Sequence, residues 1–290
     1  MLRTTASLTT VTCRKEDLVD YGPNARLQRN DVLSMLPNKF TSSSVIECWV
    51  MPLNRIESEE NEIQRMTFFG LHHTEVLTRL METPTQCTPN DNNYDMLYKQ
   101  WDNYVNEYGS TINLDAKFIF IPIMVDNHIA CVCVNFESRT ADILDNQSHN
   151  DPLNSDICQA SKIIVSAMSD YLEYKGIGKG CEITGFPHRP IKFEWTRSRP
   201  NHEESGIFTM VHMLIYEGQP FVHDDLGSKI NRRYLVLQLA AALILADMNN
   251  IRAKVMQDVT LCVSRKDSIL VTLKAKRKVV QILAKSRSSK

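Results

Sequence analysis

With 290 residues, 43% of them hydrophobic and 23% charged, the chain has room for one large domain or two small ones and the balance of a soluble globular protein. A net charge of −1 supplies no global field for nucleic acid, so no specific nucleic-acid partner is expected. The distribution is uneven: residues 252–290 hold eleven Lys/Arg against Asp258 and Asp267, which makes that tail strongly basic and leaves about −10 on the rest.

The eight cysteines, at 13, 48, 87, 131, 133, 158, 181 and 262, form no CxxC pair and no disulfide-rich spacing. They read as mostly buried thiols in a reducing, intracellular compartment. The most apolar run, 234–248, is interrupted by Gln238 and is too short to span a bilayer, so no membrane partner is expected. The run Lys274-Ala275-Lys276-Arg277-Lys278 reads as a solvated basic face or, as the second alternative, a nuclear-import signal; the nucleus is expected over the cytoplasm, and the basic tail is expected to touch nucleic acid non-specifically.

Residues 1–30 read as a poorly ordered N-terminal segment. Asn30 and Asp31 then offer caps for a short helix through Leu36, and the hydroxyls of Thr41, Ser42, Ser43 and Ser44 open a second helix over 45–54. Residues 60–108 read as mainly helical, with Leu71, Val76, Leu77 and Leu80 on one face and Leu97, Trp101, Tyr104 and Val105 on the next. His72 and His73 are adjacent, hence about 100° apart on a helix. They are expected on a helix surface and not as a ligand pair.

From Lys117 the period changes to that of strands. Apolar runs over 118–123 and 128–136 flank Asp126-Asn127, and 140–145 follows a turn at Ser138-Arg139, so three consecutive strands form an antiparallel meander. His128 begins the second strand and Asp145 ends the third, which brings both to one end of the meander. A long helix over 154–174, closed by Gly176 and Gly178, precedes a strand over 191–195; the last helix spans 234–249.

Between these lies the run 199–208, Arg-Pro-Asn-His-Glu-Glu-Ser-Gly-Ile-Phe. Ile207, Phe208, Val211, Leu214 and Ile215 recur at helical spacing after it, which places Ser205 at the head of a buried helix. Free N–H groups and the positive end of the helix dipole stabilise a developing anion there. Taken singly, Ser205 is an ordinary N-cap, Asp145-Asn146 an ordinary turn and His128 an ordinary strand-end histidine. Their order along the chain raises them above that.

That run resembles the nucleophile loop of the ubiquitin-like-protein proteases (the SUMO proteases and their plant transposon-borne relatives), Gln-Pro-Asn-x-x-Asp-Cys-Gly-Ile. Pro200, Asn201, Gly206 and Ile207 match, Glu204 is a mild change, Ser205 stands for the cysteine and Arg199 for the glutamine. Residues 45–54 are similar to the family's entry helix. The order His128, Asp145, Arg199, Ser205 follows the family's, with Ile129 where the family has Trp.

The resemblance implies an α+β, papain-like cysteine protease fold with a central helix packed on an antiparallel sheet. It implies a catalytic domain over 31–251 and a basic C-terminal tail over 252–290. It further implies His128 as general base, Asp145 as its orienter, Ser205 at the nucleophile position and Arg199 at the oxyanion-hole position. The activity implied is hydrolysis after the Gly-Gly end of a ubiquitin-like modifier such as SUMO, with that modifier or its conjugates as partner and with no cofactor or metal. The changes at 129, 199 and 205 point to a copy that is weak or inactive as a peptidase, or to a pseudo-protease that binds the modifier without cleaving it.

Overall fold

A computed structural model of the chain describes residues 16–60, 63–82, 92–148, 151–196, 202–219, 226 and 228–264. In chain order these carry β1 (Asp17–Asp20), β2 (Arg26–Gln28), α1 (Arg29–Ser34), α2 (Ser43–Glu60), β3 (Met66–Phe68), α3 (Thr74–Glu82) and α4 (Asn92–Tyr108). Then follow β4 (Phe118–Val125), β5 (His128–Asn135), β6 (Thr140–Leu144), α5 (Asp156–Tyr174), β7 (His188–Ile191), α6 (His202–Ile215), α7 (Lys229–Leu245) and α8 (Arg252–Ser264). The chain divides into two compact units, residues 1–52 with 225–290, and residues 53–224.

In the first unit β1 and β2 pair antiparallel. The buried side chain of Asn249, in the turn between α7 and α8, accepts the Asp20 N–H (2.9 Å) and donates to the carbonyls of Leu18 (3.0 Å) and Ile244 (2.8 Å). The Tyr21 hydroxyl donates to the Leu243 carbonyl at 2.6 Å. Residues 17–28 were expected to be loosely ordered and instead form this ribbon, which is held by side-chain and backbone groups more than two hundred residues away. The helix expected from Asn30 begins at Arg29, with Gln28 as cap and the Asp31 carboxylate accepting the Gln28 N–H at 2.9 Å. The start of the basic tail is helical over α8; residues 265–290 lie outside the described residues.

The second unit is built on a five-stranded sheet ordered β3-β4-β5-β6-β7. β4, β5 and β6 form the expected antiparallel meander, while β3 joins β4 and β7 joins β6 in parallel. Asp126 (φ 48°) and Asn127 (φ 62°) make the two-residue turn between β4 and β5, a conformation these side chains tolerate and one whose twist suits a hairpin. Every residue of β5 and β6 is buried, which accounts for their nearly continuous apolar runs.

Side chains alternate between the faces of a strand. In the adjoining strands β6 and β7, Asp142 and Arg189 project toward Tyr216, just past α6, while His188 projects toward Ser161 of α5. Thus α5 and α6 cover opposite faces of the sheet. α5 opens on Ser155, whose hydroxyl accepts the Cys158 N–H at 3.2 Å, and closes at Gly176 with φ 75°.

Three expectations are corrected here. Residues 66–68, expected to be helical, form β3, a strand too short for periodicity to reveal. The strand expected over 191–195 lies at His188–Ile191, and residues 192–196 form a turn whose aromatic rings face inward. His73 is not on a helix surface: it precedes α3, is fully buried and faces the Pro122 carbonyl without a full hydrogen bond. Burial lowers its pKa to about 3.

Candidate active site

Because Asp126 and Asn127 form a two-residue hairpin, Val125 and His128 face each other across it, and Ile129 turns its N–H and C=O away from β4. Those groups point toward the line of β6. But β6 ends at Leu144, opposite Cys131, and does not reach Ile129. The head of α6 fills the place of the missing strand. Ser205 Oγ accepts the Ile129 N–H at 3.1 Å, and Thr209 Oγ1 donates to the Ile129 carbonyl at 3.0 Å. Ser205 therefore sits against the residue that follows His128, and all three elements meet where the sheet runs out.

Just past β6, Asp145 Oδ1 receives the Gln147 N–H at 2.8 Å and lies 2.7 Å from His128 Nε2. A carboxylate only accepts, so Nε2 carries the hydrogen and Nδ1 is the nitrogen that would take up a proton. Both side chains are buried, at 4% and 7% exposure, which shields the pair from solvent. The expected approach of His128 and Asp145 is thus present, with Ser205 beside them. Arg199 falls outside the described residues.

Ser205 is not the cap of its helix. α6 begins at His202, so Ser205 occupies the fourth helical position, and its side chain bonds across to β5. Glu203 and Glu204 occupy the first turn, where the positive end of the dipole favours them.

The face that α6 turns to the sheet is polar. Ser205, Thr209, His212 and Tyr216 follow one another at intervals of four, three and four, one helix face, and all four are buried. Tyr216 donates its hydroxyl to Asp142 Oδ2 at 2.7 Å. His212 accepts the Trp195 indole N–H on Nε2 at 3.3 Å and stacks on Phe193, with centroids 4.3 Å apart. Burial lowers its pKa to about 3, against the opposing pull of the Asp145 charge and the Leu144 carbonyl. The apolar period of the helix marks Ile207, Phe208 and Val211 and leaves this seam unmarked. The same 3.6-residue spacing applied to hydroxyls and imidazole would have shown it.

Among the described residues no group of three or more His, Cys, Asp or Glu is placed to hold a metal ion, and no helix is long and apolar enough to cross a membrane. Cys131 and Cys133 are buried in β5, where burial pushes both thiols up and keeps them protonated. Cys181 is an exposed thiol in the 3₁₀ turn Gly178–Gly185.

Residues 39–260 match the model of the Ulp1 protease family, C-terminal catalytic domain, which is well over half of the chain. The chain belongs to that family. Among solved structures it is similar to the SUMO protease Ulp1 with its catalytic cysteine oxidised to a sulfenic acid, at TM-score 0.55 and 14% identity over 81% of this chain and 90% of that one. It is also similar to the C-terminal Ulp1 protease domain in complex with SMT3, the yeast ortholog of SUMO, at TM-score 0.53 and 16% identity over 80% and 89%. At such identities the likeness is one of fold, the papain-like α+β fold inferred above. No curated protein matches the sequence.

Proposed function

We propose that the chain is a Ulp1-type peptidase domain that receives a SUMO-type ubiquitin-like modifier or its conjugate, with hydrolysis after the Gly-Gly end impaired by the oxygen at position 205. In this reading His128 is the general base, Asp145 its orienter, Ser205 the residue at the nucleophile position and Arg199 the residue at the oxyanion position. The observation that carries it is the meeting of Ser205 Oγ with the backbone of Ile129 beside the His128–Asp145 pair.

The chemistry explains the impairment. A thiol of intrinsic pKa about 8.5 ionises beside an imidazolium at a helix head, whereas a serine hydroxyl does not and depends on a base and an oxyanion hole aligned for concerted transfer. Loss of one oxyanion donor lowers the rate by about 10²–10³. The 3.1 Å bond from the Ile129 N–H adds to this, since it draws on the oxygen lone pairs that would attack. That bond also favours the second reading, a module that binds the modifier without cleaving it. A nuclear location, with the basic tail touching nucleic acid non-specifically, completes the reading.

Incubation with a panel of ubiquitin-like precursors, together with a pull-down, tests both. The expected result is capture of one precursor with little or no cleavage, and cleavage by the Ser205→Cys, Arg199→Gln double variant. A double variant that is folded yet neither captures nor cleaves any precursor contradicts the reading.

A further inference from the structure

We propose that His212, held in orientation by Trp195, is a positioning residue that keeps Asp145 in register with His128 and the head of α6. The proposal rests on the site reading given above and adds a residue to it.

Tyr216 fixes the foot of α6 on Asp142, in the middle of β6, and Ser205 and Thr209 fix its head on Ile129. His212 lies one turn before Tyr216, about 6 Å back along the axis, while β6 advances by about that distance from Asp142 to Leu144. The ring therefore meets the strand where it ends, at the Leu144 carbonyl, next to Asp145. It faces that carbonyl off the line of a full hydrogen bond, and the Asp145 charge reaches it.

What makes the ring a fixed wall is its other side. Phe193 lies almost parallel to it, at 17°, and Trp195 stacks on Phe193 at 4.9 Å with 8° between planes. The indole N–H then commits Nε2 as an acceptor, so the neutral ring carries its hydrogen on Nδ1. Rotation of the imidazole would break the indole bond and the stack together. Asp145 lies in the turn just past β6, and a small displacement of it would swing His128 away from position 205. Such displacements reduce the efficiency of a reacting constellation steeply.

The test reads the His128–Asp145 bond itself and needs no turnover. In the full chain, the imidazole N–H proton shared between His128 and Asp145 is observed downfield by NMR, assigned by its loss in His128→Ala. His212→Phe keeps the stack and removes the acceptor; the expected result is loss of this signal, or exchange with water about tenfold faster or more. His212→Gln restores an acceptor toward the indole and is expected to recover the signal. Trp195→Phe, which removes the donor, is expected to act in the same direction as His212→Phe and serves where that variant does not fold. An unchanged signal in folded His212→Phe or Trp195→Phe, with only a lower melting temperature, overturns the proposal, as does absence of the signal in the unaltered chain. Silence in the hydrolysis assay bears on the proposed activity and leaves this result standing.

Discussion

Strand β6 and the turn after it carry two buried aspartates three residues apart, and they are held in opposite ways. Asp142 is saturated: Arg189 grips both its oxygens at 2.8 and 3.0 Å, and Tyr216 and Asn135 donate to Oδ2 at 2.7 and 3.1 Å. The Arg189 guanidinium also reaches the carbonyl of Gly218, tying in the chain just past α6. Asp145 accepts from an imidazole and a backbone N–H. A buried carboxylate closed by a guanidinium and two further donors serves to hold structure. One bonded to a histidine ring nitrogen fixes the orientation and tautomer of that ring, which suits it to orient a proton carrier. The same residue type thus serves as a staple at one point and as part of the candidate site three residues later.

The largest effect that would break this contrast is on the staple. Arg189→Ala leaves Asp142 with two neutral donors in a buried place, and chemical denaturation is expected to show a loss of about 3 kcal/mol, the low end for a broken buried pair because Arg189 is partly exposed. A loss under 1 kcal/mol would mean that the network is not structural.

Acidification sharpens the contrast next, because the Asp145 side of the sheet holds the neutral ring of His212, and His73 is buried neutral elsewhere in the unit. Both have pKa values lowered to about 3 by burial, against about 6.5 in an unfolded chain, so between those values the unfolded state binds more protons. Stability is then full above pH 6.5 and lost as pH falls toward 3, at about 1.4 kcal/mol per pH unit for each ring. His73→Gln is expected to remove one ring's share of that slope in denaturation titrations between pH 6 and 4. An unchanged slope would show that His73 is not held neutral.

Smaller effects attend the head of α6. Ser205→Ala is expected to destabilise by about 1–2 kcal/mol, since it leaves the Ile129 N–H buried without its acceptor, and Thr209→Val by about 1 kcal/mol. If both changes were neutral, the helix would not be standing in for a missing strand.

Much of this arrangement was legible in the sequence, and what was not has a physical reason. The β4–β5–β6 meander was readable because its apolar runs are long and its turns carry Asp126-Asn127 and Ser138-Arg139. From it the pairing of His128 with Asp145 followed. β3 and the β1–β2 ribbon escaped notice because strands of three or four residues show no usable period and draw their support from distant chain, Asn249 in the case of β1. The His212–Trp195 pair was missed because its meaning depends on which residues a helix turns toward a sheet, which spacing alone does not tell. The same limit applied to Ser205: its place near a helix head was readable, its bond to Ile129 was not.

The most direct test restores sulfur to the head of α6. A Ser205→Cys chain is exposed to a SUMO-type modifier bearing a C-terminal vinyl sulfone, and the adduct is located by mass spectrometry, with and without His128→Ala. The expected result is one adduct, on the introduced thiol, whose formation collapses when His128 is replaced. A folded variant that forms no adduct, or one that forms it equally fast without the imidazole, would contradict the placement of His128, Asp145 and Ser205 in one working site.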